Sequence, residues 1–353
     1  MKAFLHIGTP KTGTTTIQKF LVKNLQLLQK ELITCPSMFG RNHQAIAFSF
    51  YESERHDDLT RDICRKHSLD EENQKSIETL KLTFKSMLKK EINKKHNSKS
   101  FNWIFSSEDF YGRLKSELEV KNLKNFLYEI FEEVDIIVFL RDPLLNAISA
   151  TSQRVKHGQN YNPLLPHNFA SHKSKLEKWV NIFGAKSIKA RIFNKKYFKN
   201  NNIIHEFGDI CEINEETIRK CQLPESQNES LSQISMVILD ELYNNSTIKK
   251  LSRKKPAFHR SLVKIIQTNF KDCPPYRPTI KDLTNFRNYF YESDKWVSKQ
   301  IFHIEEGIVW DQAFDLSYLS SQEERISLSE REKKLIASIK DLYLSNEKLN
   351  KNN

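Results

Sequence analysis

Four short stretches within the first 193 residues of the chain each predict a β-strand. They cover residues 3–7, 101–106, 134–140 and 187–193, and the third run, VDIIVFL, is the most apolar. A run that is apolar at almost every position is typical of a strand that is buried on both faces of a parallel sheet.

Between and after these runs, apolar residues recur at the three- and four-residue spacing of an amphipathic helix. The alternation of strands and helices predicts an α/β fold, in which helices cover both faces of a central parallel sheet. The predicted helices between the strands span residues 14–29, 114–131, 143–157 and 172–183, and the chain beyond residue 200 is predicted to be mostly helical.

The domain organisation follows from this alternation and from the charge pattern. We expect a single domain over residues 1–330, with a charged helical insertion at about residues 50–98. Residues 331–353 are polar and rich in lysine, and they are expected to form a helix followed by a tail.

The chain has 353 residues, of which 38% are hydrophobic, and this is enough for a sizeable core. The formal net charge of +12 favours an anionic partner such as a nucleotide, an acidic glycan, a membrane surface or a nucleic acid. Lysine on solvated faces explains the same charge equally well. Since no run of Lys and Arg reaches the length of a nucleic-acid-binding arm, no nucleic-acid partner is expected.

The five cysteines are widely spaced and include no C-x-x-C pair. This pattern predicts neither a zinc site nor a disulfide framework, and reduced thiols in a cytoplasmic protein are expected. The chain opens on a predicted strand, and no apolar run approaches the length of a membrane-spanning helix. The sequence thus predicts no transmembrane segment, although the positive charge is compatible with peripheral membrane contact.

The stretch HIGTPKTGTTTIQ resembles a phosphate-binding loop with a displaced lysine. Gly8 and Gly13 keep the glycine spacing of the triphosphate-binding motif G-x-x-x-x-G-K-[ST], but Thr14 takes the lysine position and Lys11 precedes the second glycine. A strand followed by a glycine turn and a helix directs backbone N–H groups at one point, where the helix dipole also favours an anion. Without a lysine after Gly13, this loop suits a monophosphate end better than a triphosphate with magnesium.

The segment TPKTGTTTIQ resembles the 5′-phosphosulfate loop of the sulfotransferases that use 3′-phosphoadenosine 5′-phosphosulfate (PAPS). In that family the lysine also precedes the glycine, and the 3′-phosphate site has an arginine at the end of a later strand and a serine eight residues further on. Arg141 and Ser149 match this offset. Arginine can bind a phosphate through two N–H groups, and two helical turns return Ser149 to the same face. The alternative for Arg141 is an ion pair with Asp142 or Asp135.

The resemblance implies a P-loop-like three-layer sandwich and a bacterial enzyme that sulfates a carbohydrate acceptor. PAPS is the implied co-substrate, and no metal is required. The residues implied to bind the nucleotide are Pro10, Lys11, Thr12, Gly13, Thr14, Thr15, Thr16, Arg141 and Ser149.

Three residues are candidates for the chemistry of sulfuryl transfer. Lys11 is expected to neutralise charge on the leaving oxygen. The family has its general base just after the second strand. Glu108, on an expected loop, is our first candidate for this base. Its neighbour Asp109 points the other way if the chain there is extended. The alternative for Glu108 is a helix-capping or surface carboxylate. His43, near an expected helix start, is the second candidate, with acceptor binding or helix capping as its alternatives.

Two other functions fit parts of this pattern. A P-loop kinase or NTPase requires a lysine where Thr14 stands. A non-catalytic basic protein that binds nucleotide or anionic glycan requires no intact catalytic set. The sequence leaves open which hydroxyl is sulfated and in which oligomeric state the protein acts.

Overall fold

The structure, a computed structural model, describes residues 1–52, 55–96, 99–160, 164–224, 230–319 and 328–349. Five strands in these residues form one parallel sheet. They are β1 (Lys2–His6), β2 (Ile33–Thr34), β3 (Asn102–Ser106), β4 (Glu133–Leu140) and β5 (Ile188–Ile192), in the spatial order β2-β3-β1-β4-β5.

The four strands expected from the apolar runs are confirmed, and their ends differ from the prediction by at most one residue. β4 lies between β1 and β5, and its residues from Ile136 to Leu140 have no exposed surface, which explains why its sequence is continuously apolar. β2 was not predicted, because two residues are too few to show an alternation.

Helices separate the strands along the chain and follow the last one. In the described residues they are α1 (Thr14–Lys23), α2 (Leu25–Lys30), α3 (Gln44–Phe48), α4 (Asp58–Lys66), α5 (Gln74–His96), α6 (Glu108–Arg113), α7 (Glu117–Tyr128), α8 (Pro143–Lys156), α9 (His172–Phe183), α10 (Ile203–Ile210), α11 (Glu215–Lys220), α12 (Gln233–Tyr243), α13 (Ser246–Lys254), α14 (Pro256–Asn269), α15 (Ile280–Phe302), α16 (Val309–Ala313) and α17 (Glu330–Leu349).

The single helix predicted over residues 14–29 is wrong, because Asn24 separates α1 from α2. The Asn24 side-chain amide donates to the Phe20 carbonyl at 2.9 Å and to the Gln222 carbonyl at 3.0 Å. An asparagine side chain that bonds to the backbone competes with the helical hydrogen-bond pattern. Asn24 thus ends one helix and fixes a distant segment of the chain.

Successive residues of each strand pack on opposite faces of the sheet. Phe4 and Phe139 pack with Ile17 of α1 on one face, while Leu5 packs in the cluster of Trp179 from α9 on the other. This is the period of two that a strand imposes on its side chains. The result is the expected three-layer α/β sandwich with a parallel central sheet.

The chain divides into two compact units. The first comprises Met1–Asp142, Ala170–Ser226 and Glu292–Ala313, and it contains the whole sheet together with α4 and α5 of the charged segment. The second comprises Pro143–Phe169, Gln227–Tyr291 and Phe314–Asn353; its described part is helical, with a core around Val155 and Leu239. Compactness alone does not show which parts fold independently, so the single domain over residues 1–330 stays a prediction.

All five cysteines lie in the described residues and are free thiols, as expected. None of the helices in the described ranges combines the length and the apolar composition needed to cross a membrane.

Candidate active site

The loop of residues 7–13 joins β1 to α1 at the carboxyl edge of the sheet. Three of its residues have positive φ angles: Gly8 (56°), Lys11 (68°) and Gly13 (76°). At Gly13 an added Cβ would lie 2.6 Å from Cδ1 of Ile203 in α10. Both the backbone conformation and the close approach of α10 therefore favour glycine at this position.

Two buried threonines hold the shape of this loop. The Thr9 hydroxyl donates to the Phe139 carbonyl of β4 at 2.7 Å, and the Thr12 hydroxyl donates to the Thr9 carbonyl at 2.7 Å. The hydroxyl of Thr12, one of the residues implied to bind the nucleotide, thus donates within the loop. Thr9, which attaches the loop to the neighbouring strand, was not among the predicted site residues.

The N-terminus of α1 is open to an anion. Gly13 is its N-cap residue, no described side chain caps the helix, and its first turn contains no acidic residue. The N–H groups of Thr16 and Ile17 donate to the Gly13 carbonyl, and the N–H groups just before them have no acceptor within a helix. Of the other predicted loop residues, Pro10 and Thr15 are exposed and Thr16 is half-buried.

We expected Glu108 to lie on a loop, and this is wrong: it lies in the first turn of α6. Ser107 caps this helix by accepting a hydrogen bond from the Asp109 N–H, so the capping alternative for Glu108 is wrong as well. The sequence Ser-Glu-Asp, a cap residue followed by two acids, is a local helix-start signal, although no helix was predicted here. Asp109 is held by Arg113, whose Nε donates to it at 2.7 Å.

The Glu108 carboxylate faces the phosphate-loop helix. Its Oε2 accepts a hydrogen bond from the Thr14 hydroxyl at 3.2 Å. Burial raises the pKa of Glu108, while the Thr14 hydrogen bond opposes this shift, the Asp109 charge adds to it and the Lys11 charge opposes it. Glu108 is thus a carboxylate with increased affinity for a proton beside the loop.

Lys11 is close to two charges of opposite sign. Burial lowers the pKa of Lys11, the positive charge of Arg141 lowers it further, and the negative charge of Glu108 opposes both. The three residues are separated by about 100 and 30 positions in the sequence, yet their charges act on one another at a single edge of the sheet.

Arg141 directly follows β4, and its guanidinium lies against the loop. Its Nη1 donates to the Lys11 carbonyl at 3.4 Å, and the guanidinium carbon is 5.7 Å from the ring centre of Phe193. Asp135, one of the two ion-pair alternatives for Arg141, is instead paired with Lys2 at 2.9 Å. Phe193 directly follows β5, and it was predicted as the last residue of that strand and not as a neighbour of Arg141.

Ser149 lies in α8, in the second unit, and is largely buried. Its assignment to the same site as Arg141 stays a prediction.

His43 precedes α3, as expected, but its side chain does not cap that helix. Its Nδ1 accepts a hydrogen bond from the Ser106 N–H of β3 at 2.9 Å, so the proton of the neutral ring is on Nε2. The ring is buried, and burial lowers the pKa of His43 to about 4. His43 thus joins the segment before α3 to the sheet, and the electron pair on its Nδ1 already accepts the hydrogen bond from Ser106.

His6 is a second buried histidine at this edge, and we expect both to make the protein sensitive to acid. Burial lowers the pKa of His6 to about 3, compared with 6.5 for an exposed histidine. Between these two pKa values the unfolded chain binds more protons than the folded one. The contribution of the neutral histidine to folding stability is therefore fully present above pH 6.5 and is lost as the pH falls. Within this window each histidine lowers the free energy of unfolding by about 1.4 kcal/mol for each unit by which the pH falls, and by less near the ends of the window.

Urea unfolding at pH 6.5 and about pH 5.5 measures this effect, and for the two histidines together we expect a loss of about 2 kcal/mol. His43→Asn retains an acceptor for the Ser106 N–H and should remove about 1 kcal/mol of the pH-dependent loss, because the other buried histidines, His6 and His172, still contribute. Replacing the exposed His56 by asparagine is the control and should leave the loss unchanged. An unaltered pH dependence in His43→Asn would contradict the assignment.

Neither a protein-family model nor a curated protein matches the chain. Among solved structures, it is similar to a sulfotransferase from Alicyclobacillus acidocaldarius, with 14% sequence identity and a TM-score of 0.34. The similarity covers 74% of this chain and 98% of that protein.

Proposed function

We propose that the protein is a PAPS-dependent sulfotransferase. The observation that carries the proposal is the convergence of Lys11, Glu108 and Arg141 on the loop before α1, at the carboxyl edge where open α/β sheets bind ligands. The loop departs from the triphosphate motif in the one position that matters most, because Thr14 stands in place of its lysine.

The loop is suited to the 5′-phosphate of such a donor. Its positive φ angles and the uncapped start of α1 leave backbone N–H groups to receive an anion, and these groups belong to Gly13, Thr14 and Thr15. The Thr14 hydroxyl proton is directed at Glu108, so we assign the contribution of Thr14 to its N–H group. Arg141 is proposed to bind the 3′-phosphate.

Lys11 and Glu108 are proposed to carry the chemistry. The donor supplies a sulfuryl group with a nucleotide as its leaving group. Lys11 would neutralise the charge that develops on the leaving oxygen. Glu108 would accept the proton of the acceptor hydroxyl, for which its raised pKa is favourable. We assign the base to Glu108 and not to His43, because the His43 electron pair is bonded to Ser106.

A carbohydrate hydroxyl is the proposed acceptor, on the basis of the resemblance to carbohydrate-sulfating members of the family. The net charge of +12 is compatible with an anionic glycan but does not select one.

Calorimetric titration with 3′-phosphoadenosine 5′-phosphate (PAP), with and without magnesium, tests the donor site. We expect metal-independent binding that Arg141→Ala weakens by about 10- to 100-fold, since a hydrogen bond to a charged group contributes about 1.5–3 kcal/mol. Arg65→Ala, which removes an exposed arginine from α4, should have no effect.

Two results would count against the proposal. Absence of PAP binding would favour a non-catalytic basic protein with a degenerate loop. A magnesium requirement for nucleotide binding would favour a P-loop kinase or NTPase.

A further inference from the structure

A buried chain of hydrogen bonds connects the helix that carries Glu108 to the backbone of Arg141. Tyr111 of α6 lies three residues after Glu108, and its hydroxyl is 2.8 Å from Nδ1 of His172, the first residue of α9. The other ring nitrogen of His172, Nε2, is 2.8 Å from the Arg141 carbonyl oxygen. Tyr111 and His172 are 6% and 5% exposed, so water does not replace these contacts.

The chemistry of the three groups fixes the direction of the chain. A carbonyl oxygen can only accept, so Nε2 of His172 carries the proton and donates it to Arg141. Nδ1 then has a free electron pair and accepts the hydrogen bond from the Tyr111 hydroxyl. Burial lowers the pKa of His172 and raises that of Tyr111, which keeps both groups neutral.

Tyr111 is also bound to the start of the phosphate loop. Its backbone N–H donates to the Ile7 carbonyl, directly after β1, at 3.3 Å. A single residue thus contacts the end of β1 through its backbone and, through His172, the end of β4. The base candidate, the loop and the arginine are therefore connected through Tyr111.

Packing alone does not account for these residue types. The His172 ring contacts the rings of Tyr111 and Trp310, with centroid separations of 6.5 Å and 5.7 Å. Phenylalanine would provide the same kind of contact without burying polar atoms, which costs free energy unless they are bonded. What the polar pair adds is a fixed orientation of the peptide group after Arg141.

We propose that Tyr111 and His172 are positioning residues, which hold the Arg141 backbone so that its guanidinium is directed at the 3′-phosphate of the donor. This inference rests on the proposed function. A displacement of a binding group by a small distance is enough to reduce its effect strongly.

The test compares two probes, PAP and AMP, which differ in the 3′-phosphate. We expect Tyr111→Phe to weaken PAP binding by about 10-fold, because a small displacement of the Arg141 guanidinium is enough to cause a loss of this size. AMP binding should stay unchanged. In an Arg141→Ala background, the same substitution should have no further effect on PAP, because it acts only through Arg141. His172→Gln, which keeps an N–H donor for the Arg141 carbonyl, should retain more of the selectivity for PAP than His172→Phe does.

The second unit contains a matched control. The Tyr243 hydroxyl is 3.4 Å from Nδ1 of His259, whose Nε2 is 2.8 Å from the Lys156 carbonyl. Tyr243→Phe therefore disrupts the same kind of buried pair without a bond to Arg141, so any change in PAP affinity should be the same in the wild-type and Arg141→Ala backgrounds.

The outcomes separate this inference from the proposed function. If the wild-type chain binds PAP and Arg141→Ala weakens it, but Tyr111→Phe and His172→Phe do not, only the positioning role is overturned. Equal losses for PAP and AMP, or additive losses in the double variant, would also overturn it. If the wild-type chain does not bind PAP, both proposals are overturned.

Discussion

Replacement of Glu108 by glutamine is expected to lower turnover by about 10²- to 10⁴-fold, the range for loss of a general base. Glutamine has the same shape and keeps an oxygen that can accept the Thr14 hydrogen bond, so the loop should remain in place. What is lost is the ability to take a proton from the acceptor hydroxyl. The affinity for PAP should change little, because Glu108 is not proposed to bind the nucleotide.

The measurement is PAP release from PAPS in the presence of a sugar acceptor that the wild-type chain uses. Glu117→Gln is a matched control, because Glu117 is also an acid in the first turn of a helix but is exposed. Undiminished turnover in Glu108→Gln would remove Glu108 from the mechanism.

The pH profile provides a second readout for the same group. The base must be unprotonated to act, and burial raises the pKa of Glu108 above its ordinary value of 4.5. Activity should therefore decline as the pH falls through an apparent pKa that is higher than 4.5, and this acid limb should be absent from the residual activity of Glu108→Gln.

Lys11→Met is expected to lower turnover by about 10²- to 10³-fold, comparable to the removal of one group that stabilises transition-state charge. Methionine is unbranched like lysine and only one atom shorter, but it has no charge at its end. The positive φ angle of Lys11 is the same for both residues, so the substitution adds no backbone strain.

Single-turnover rates at saturating PAPS separate this effect from binding. Lys23→Met, in the last turn of α1, is the control. Because burial and Arg141 lower the pKa of Lys11, wild-type activity should also fall at a pH below the ordinary lysine value of 10.5. If Lys11→Met affected PAP affinity alone, its proposed role at the leaving oxygen would be wrong.

Some elements of this fold have a local cause, and these are the ones that the sequence predicted. The strand at β4 is apolar because it is buried on both faces, and the start of α1 follows from a glycine turn and a helical apolar pattern. β2 was missed because it has two residues, and the break at Asn24 was missed because the Asn24 side chain is held in part by the carbonyl of the distant Gln222. A periodicity in the sequence contains neither piece of information.

For the candidate site the division is similar. Lys11 and Arg141 were identified from local motifs, whereas α6 was missed although Ser107 and the acids after it are a local helix signal. The contacts of His43 changed its interpretation from a candidate base to a bonded, buried residue. That distinction depends on the Ser106 N–H, a group 63 positions away, and no local pattern shows it.

The sequence by itself determined the strand–loop–helix unit around Lys11, the parallel sheet and the arginine after β4. Only the tertiary structure decided that Thr14 is bonded to Glu108, that Arg141 lies against Lys11, and that Tyr111 and His172 connect them. The physical reason is the strand order, in which β1 lies between β3 and β4. Parallel neighbours bring their carboxyl ends together, so residues about 100 positions apart meet there without any local signal.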